Sequence, residues 1–405
     1  MKITRKLGSL GTVRTVKTAG VLAAAALFLA ACGTDSNTAT TPSTTSTTTA
    51  SSASSSAAPS STSSASSTGT ATSSGTSAAS FDCATGDLRS SGSTAQGKVI
   101  EQWILDFNTK CGANVNQYGA GGSGKGISDF TSNQVDFAGS DSALNTDQAT
   151  AAKTTRCAGA DAINLPMVTG PIAIAYKIPG VTNLVVNADV LAKIFNSTIT
   201  NWNDPAIAAL NTGVTLPNLA IASVHRQEDS GTTENFTKYL KAVAPDSWPY
   251  PAAKAWAGTG GTSAQGSQGV ADEVNSKDGT IGYLEWGYAT DNKLSIAKVD
   301  TGSGTPVELT GESAGKAVAA ATVVGTGKDV ALKLDYATKE AGAYPIILVT
   351  YEIVCSSGNG AKLPVLKAFL GYAATDGQAS LADLGAAPLP AEIQSKVVTS
   401  IQALA

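Results

Sequence analysis

Three short segments of this 405-residue chain carry residue types that could hold an anion. They are Ser91-Gly-Ser-Thr-Ala-Gln96, Gly121-Gly-Ser-Gly-Lys-Gly126 and Asp229-Ser-Gly-Thr-Thr233, each placed directly before a helical pattern. Glycine lets backbone approach a bound group closely, hydroxyls donate, and a helix N-terminus offers free N–H groups at the positive end of its dipole. Taken singly, such a segment is an ordinary helix N-cap. Three in one chain, with Arg226 four residues before Ser230, point to a shared tetrahedral oxyanion.

Acidic residues stand beside this supposed anion site. Asp141 closes the run Val135-Asp-Phe-Ala-Gly-Ser-Asp141, and Glu228 and Asp229 follow Arg226. By pattern alone Asp141 could be a plain turn residue. Facing an oxyanion, though, a carboxylate is repelled unless the anion carries a proton that it can accept. That condition selects phosphate, protonated at neutral pH, over sulfate, which would leave the acid unpaired.

Other chemistries fit poorly. With one histidine, His225, no multi-histidine metal site can be built. A hydrolase using Ser230 as nucleophile and His225 as base is disfavoured, because His225 and Arg226 are neighbours on a strand and point to opposite faces. If Arg226 faces the anion, His225 faces away. A phosphatase would need metal ligands or a phosphoryl-accepting nucleophile, and neither cluster is visible. The formal charge of −4, from 27 basic and 31 acidic residues, argues against a nucleic-acid partner. No cofactor motif is present, so the reading is of binding without catalysis.

The elements that must position these residues begin at residue 81. From there short β-type runs alternate with amphipathic helical stretches, the pattern of an α/β fold with a mostly parallel sheet. Val99, Ile100, Trp103, Ile104 and Phe107 share one helical face, and Phe236, Tyr239, Leu240 and Val243 form another after Thr232. Trp202, in Asn-Trp-Asn-Asp-Pro, reads as a buried anchor under a loop. Two long apolar runs, Ile163 to Ile178 and Tyr344 to Val354, lie far apart in sequence and would form a two-strand hinge between lobes. The expected boundaries are 81–165 plus 345–405 for lobe I and 166–344 for lobe II.

The N-terminal part follows different rules. Residues 1–31 have five basic residues, no acid and an apolar run from Ala19 to Ala31, as in a signal peptide. Their removal leaves the mature chain near −9. Leu29-Ala-Ala-Cys32 resembles the lipobox of bacterial lipoproteins, which implies cleavage before Cys32 and acylation of its thiol. Residues 33–80 are almost wholly Ser, Thr, Ala, Gly and Pro, a disordered linker with a reach of roughly 40 Å.

Cys83, Cys111, Cys157 and Cys355 form an even set, which in an oxidising location suggests two disulfides among three connectivities. Cys83 and Cys111 each precede a candidate strand, Leu88 to Ser91 and Asn114 to Tyr118. If those strands are parallel neighbours, the thiols share one sheet edge. The favoured pairing is therefore Cys83 with Cys111 and Cys157 with Cys355.

The segments SGSTAQ, YGAGGSGKGISDF, VDFAGSDSALN, AKIFNSTITNWNDPAIAALN, VHRQEDSGTTENFTKYL, GTIGYLEWGYA and AYPIILVTYEI, in this order, resemble the PstS family. These are the phosphate-binding proteins of the high-affinity phosphate ABC transporter, and the likeness, strongest to the lipid-anchored actinobacterial branch, covers residues 88 to 405. It implies a type II periplasmic-binding-protein fold that closes two lobes over phosphate. It implies phosphate contacts from Thr94, the Ala95 N–H, Ser123, Asp141, Arg226, Ser230, Gly231 and Thr232. Glu228 stands where the family commonly has Asp, with the role of orienting Arg226. The implied partners are membrane permease and ATPase subunits. The implied place is the outer face of the cytoplasmic membrane, facing the cell wall, with the protein a monomer anchored through lipid at Cys32. The competing readings are a binding protein of the same fold for sulfate, molybdate or a phosphonate, a surface phosphate sensor, and a surface adhesin. Only the adhesin leaves the three turns without a use.

Overall fold

The computed structural model of the chain describes residues 81–405. The signal peptide, Cys32 and the linker expected above lie outside the described residues.

The strands that carry the fold are β1 (Asp87–Leu88), β2 (Ser90–Gly92), β3 (Asn114–Val115), β4 (Gly119–Ala120), β5 (Phe137–Ser140), β6 (Ala162–Lys177), β7 (Ala222–Arg226), β8 (Thr262–Ala264), β9 (Thr280–Glu285), β10 (Ser295–Ile296) and β11 (Ile347–Cys355). The helices that bear on the site are α1 (Gly97–Cys111), α2 (Ser123–Thr131), α3 (Gly231–Val243), α4 (Gly266–Ser276) and α5 (Leu363–Ala374). Nine strands form one sheet in the order β4-β2-β5-β11-β6-β9-β7-β8, with β10 paired to β6. The flanking strands run parallel, β2 with β4 and β5, and β7 with β8 and β9. β6 and β11 pair antiparallel with each other and with those flanks. The expected mostly parallel sheet is therefore mixed, because two long strands traverse it in opposite senses.

β6 and β11 are buried on both faces, which is why they read as unbroken apolar runs. Ile163, Leu165, Met167 and Val168 of β6 pack into one core with α1 and α5. Ile172 to Tyr176 pack into a second with α3 and β9. On β11 the same change falls between Leu348 and Val349, and these residues pair with Gly170 and Thr169 of β6. Both strands thus pass from one core to the other at the same rungs. A Cβ on Gly170 would stand 2.7 Å from Leu348 Cδ1, so a larger residue at that rung would displace the leucine side chain. The β11–β6 register slips between Thr350 and Tyr351, and in the slip the Met167 carbonyl accepts from Gln378 Nε2 at 2.9 Å.

α1 buries Val99, Ile100, Trp103, Ile104 and Phe107, the face expected from its 3.6-residue spacing. It ends at Gly112, whose φ of 62° supplies the left-handed cap. Phe107 meets Phe369 of α5 edge-on at 5.4 Å, and Trp103 Nε1 donates to the Gly377 carbonyl at 2.8 Å. Each such aromatic stabilises the fold by about 2–3 kcal/mol. α3 buries Phe236, Tyr239 and Leu240. Trp202 is fully buried and donates to the Gly279 carbonyl at 3.0 Å.

The disulfides join Cys83 to Cys111 and Cys157 to Cys355. β1 and β3 are parallel neighbours, which puts the first pair at one sheet edge. The run expected as one strand from Leu88 to Ser91 is broken at Arg89, whose N–H donates to Asp136 Oδ2 at 2.8 Å instead of to a strand. β1 consequently pairs with β3, while β2 pairs with β4 and β5.

Candidate functional site

The three turns lie at the starts of α1, α2 and α3 and converge. Their convergence begins at Gly92, the last residue of β2. Its φ is 143° and a Cβ there would meet Gly139 O at 2.0 Å, so the position admits glycine alone. The Gly92 carbonyl accepts from both Gly121 N and Gly122 N at 2.9 Å, which fastens the second turn to the first. The second turn meets the third through Gly124 N, which donates to Asp229 O at 2.9 Å.

In the first turn Thr94 is buried and Ala95 N–H donates to Ser93 Oγ at 3.0 Å. In the second, Ser123 is the first residue of α2; its Oγ donates to Asp141 Oδ2 at 3.2 Å and accepts from Asp141 N at 3.1 Å. In the third, Ser230 caps α3 by accepting from Thr233 N at 3.3 Å. Gly231 follows, and a Cβ on it would stand 2.4 Å from Ser123 Oγ and 2.6 Å from Asp141 Cβ.

Arg226, the last residue of β7, is 1% exposed. One Nη donates to Thr232 Oγ1 at 3.1 Å and the other to Thr94 Oγ1 at 2.6 Å, so the guanidinium bridges the first and third turns. Its Nε has no partner. Glu228 pairs with Arg226 Nη2 through one oxygen and accepts from Gly266 N at 3.2 Å through the other. The longer glutamate therefore spans from the guanidinium to the start of α4.

Asp141 follows β5 and is 2% exposed. Burial pushes its carboxyl pKa up, opposed by hydrogen bonds from Ser93, Thr350 and Ser123 and by the Arg226 charge. Thr350 Oγ1 donates to Asp141 Oδ1 at 2.7 Å. A buried carboxyl in this state gains from any further donor brought to it.

The structure thus brings together Thr94, Ala95, Ser123, Asp141, Arg226, Glu228, Ser230, Gly231 and Thr232. The charged ends of Lys125 and Asp229 lie at the surface: Lys125 is half-exposed and pairs with Asp129, and Asp229 is exposed while its carbonyl joins the second and third turns. His225 stacks on Trp256 at 4.8 Å with 7° between the rings, its Nδ1 3.0 Å from the Arg226 carbonyl oxygen. Burial lowers its pKa.

Three site residues were missed in the sequence. Ser267, at the start of α4, is fully buried with its Oγ 3.4 Å from Thr94 Oγ1 and 3.5 Å from Arg226 Nη1. Its signal was the Gly266-Ser267 pair before a helix, a fourth turn of the same kind. Thr350 was the one hydroxyl in the apolar run Ile347 to Cys355 apart from Tyr351. Asn235 was the one amide among the apolar residues of the α3 face.

The PBP superfamily domain matches residues 34–376. The chain is 40% identical over 391 residues to the phosphate-binding protein PstS3 of Mycobacterium bovis (strain BCG / Pasteur 1173P2), covering 95% of this chain and 97% of that protein. It is 42% identical over 322 residues to the phosphate-binding protein PstS 3 of Mycobacterium leprae (strain TN), covering 78% of this chain and 87% of that one. In three dimensions it resembles a high-affinity periplasmic phosphate-binding protein, PfluDING, solved with phosphate at pH 8.5. The TM-score is 0.63 at 21% identity, over 77% of this chain and 93% of the other, a likeness of fold.

Proposed function

The chain belongs to the PstS family of phosphate-binding proteins, within the PBP superfamily, and from that premise we propose that it captures inorganic phosphate between its two lobes and hands it to a phosphate ABC transporter for import. The observation that carries the reading is Asp141, a buried carboxyl set among hydroxyl donors and within the field of Arg226. Monohydrogen phosphate brings the one proton that Asp141 can accept; sulfate brings none and would leave two acceptors face to face.

In this reading Thr94, the Ala95 N–H and Ser123 hold the anion from one lobe. Arg226, Ser230, Gly231 and Thr232 hold it from the other, and Glu228 keeps the guanidinium in place. The dipoles of α1, α2 and α3 all present positive ends to the cluster. We read the hinge at the β6 and β11 rungs where core membership changes, so Met167, Val168, Val330 and Leu332 go with lobe I and Ile347 and Leu348 with lobe II, a shift from the bounds 81–165 plus 345–405 and 166–344 expected from the sequence. Closure follows from preferential binding of phosphate to the closed arrangement. No bond of the ligand is broken, so the protein acts without catalysis, and His225, stacked on Trp256, supports that view.

The remaining parts of the reading are a diacylated Cys32 at the outer face of the cytoplasmic membrane, residues 33–80 as a tether, and a monomer that docks on permease and ATPase subunits. The test of the ligand is calorimetric titration of the purified protein with phosphate and then sulfate, repeated for Asp141→Asn. Tight phosphate binding, sulfate ignored, and a narrowed gap between the two in the variant are expected. Preference of the unaltered protein for sulfate would overturn the reading.

A further inference from the structure

Asn235 lies one turn into α3 and is 2% exposed. Its amide nitrogen donates to two carbonyl oxygens, Asp141 O at 2.7 Å and Gly231 O at 2.8 Å. Its amide oxygen accepts from the Tyr336 hydroxyl. Every polar atom of the side chain is therefore used, and the pattern fixes its orientation, since two carbonyls require the nitrogen on that side. The phenol of Tyr336 stays a donor because burial holds its pKa well above the ordinary value.

The groups joined here come from two parts of the fold, with Tyr336 packed against the same core as the Asn235 helix. Asp141 follows β5, whose Phe137 packs in the first core. The Asn235 helix packs Phe236, Tyr239 and Leu240 into the second. One turn further along α3, Lys238 Nζ reaches Ser142 Oγ at 3.4 Å. Asn235, Lys238, Tyr336, Asp141 and Ser142 line a cavity of about 380 Å³. The tie is thus the wall between that cavity and the backbone of the buried acceptor.

We infer that Asn235 is a positioning residue of the phosphate site: by tying the Asp141 backbone to the start of α3 it holds the closed cleft shut and sets how long the ligand is retained. The inference rests on the reading of the cleft as a phosphate site and adds a residue whose side-chain polar atoms are all engaged by the protein itself. The bond to Asp141 O exists only when the two segments meet, whereas Gly231 O belongs to the same helix and anchors the amide in place, so loss of the first bond should appear in the escape rate. One such bond corresponds to roughly 10-fold in rate, and more where a repulsive charge replaces it.

The test is stopped-flow measurement of phosphate association and dissociation for the full protein and for Asn235→Asp, Asn235→Ala and Tyr336→Phe, with melting of the ligand-free forms. Asn235→Asp keeps the shape and sets a carboxylate against two carbonyls. It should release phosphate roughly 100-fold faster, Asn235→Ala roughly 10-fold faster and Tyr336→Phe a few-fold faster, with association changed by less than about threefold. Preference for phosphate over sulfate should persist, since Asp141 is retained. Unchanged dissociation in all three, or a fall in ligand-free melting temperature with unchanged dissociation, would overturn the inference and leave the phosphate site standing. Failure of the unaltered protein to bind phosphate would instead remove the reading on which it rests, and the inference with it.

Discussion

Gly231 and Asp141 approach so closely that no side chain fits between them: a Cβ on Gly231 would stand 2.6 Å from Asp141 Cβ and 2.7 Å from Asp141 Oδ2. The contact joins the first residue of α3 to the buried acceptor beyond β5, and it limits what the site can tolerate.

Gly231→Ala is therefore expected to prevent full closure. Gly231 lies in the first turn of a helix, where alanine is a better former than glycine, so the ligand-free fold should keep its melting temperature within a few degrees. Phosphate affinity should fall by at least about 100-fold, since the closed contact must open by the depth of a methyl group. Calorimetric titration beside scanning calorimetry separates the two effects; equal affinity with lowered stability would contradict this account.

Two buried glutamates give a pH dependence of stability. Burial raises Glu352 on β11 and Glu285 on β9 from 4.5 to about 8. Glu285 has a hydrogen bond from Gly287 N at 3.0 Å and the nearby Lys98 charge in support. Glu352 faces Gln96, with the Asp141 charge opposing its ionisation and Tyr118 beside Gln96, and neither of its oxygens has a partner. The folded state holds these protons where the unfolded chain has lost them. The stability so conferred is complete below about pH 4.5 and is lost as pH rises to about 8, on the order of a few kcal/mol per group. Glu352→Gln should flatten the decline and be more stable than the unaltered protein at pH 8. Urea unfolding across pH 5–8.5 reads it, and equal slopes for the two proteins would refute it.

The disulfides should contribute unequally. Cys83–Cys111 spans 28 residues and Cys157–Cys355 spans 198. Loop-closure entropy assigns them about 3.5 and about 5 kcal/mol as upper values. The second is also buried beside Ile353, Phe130 and Ala152. Replacing Cys157 and Cys355 together by alanine should shift the urea midpoint more than the same change at Cys83 and Cys111; the reverse order would show that loop length does not govern their effect.

His225→Ala should leave phosphate affinity within about twofold, since the ring stacks on Trp256 away from the turns. The lost stacking should cost about 1 kcal/mol of stability. A loss of binding beyond tenfold at full folding would place the histidine in the site.

The parts of the site legible in the sequence were those written locally. A glycine–hydroxyl turn before a helix names its own role, and so Thr94, Ser123 and Ser230 could be found one by one. The α1 face was legible for the same reason, because five apolar residues at helical spacing need no partner to be recognised. Strand direction carries no such mark: β6 and β11 read as apolar runs whichever way they point, and the antiparallel crossing was invisible. Thr350 and Asn235 were hidden because each sits among apolar neighbours that dominate its local pattern, and their partners are 209 and 94 residues away. Arg89 broke an expected strand through a carboxylate 47 residues on, again a relation between distant positions.

The exchange of cores at shared rungs of β6 and β11 has a mechanical meaning. If the halves swing about the rungs of Gly170 and Leu348, as proposed above, most of each apolar core travels with its own half, so opening wets little greasy surface. Polar contacts cross from one half to the other near the anion turns, Arg226 to Thr94 and Asn235 to the Asp141 carbonyl among them, and each is removable by one substitution. Such a molecule can be retuned between a tight trap and a quick shuttle without any change to its foundations.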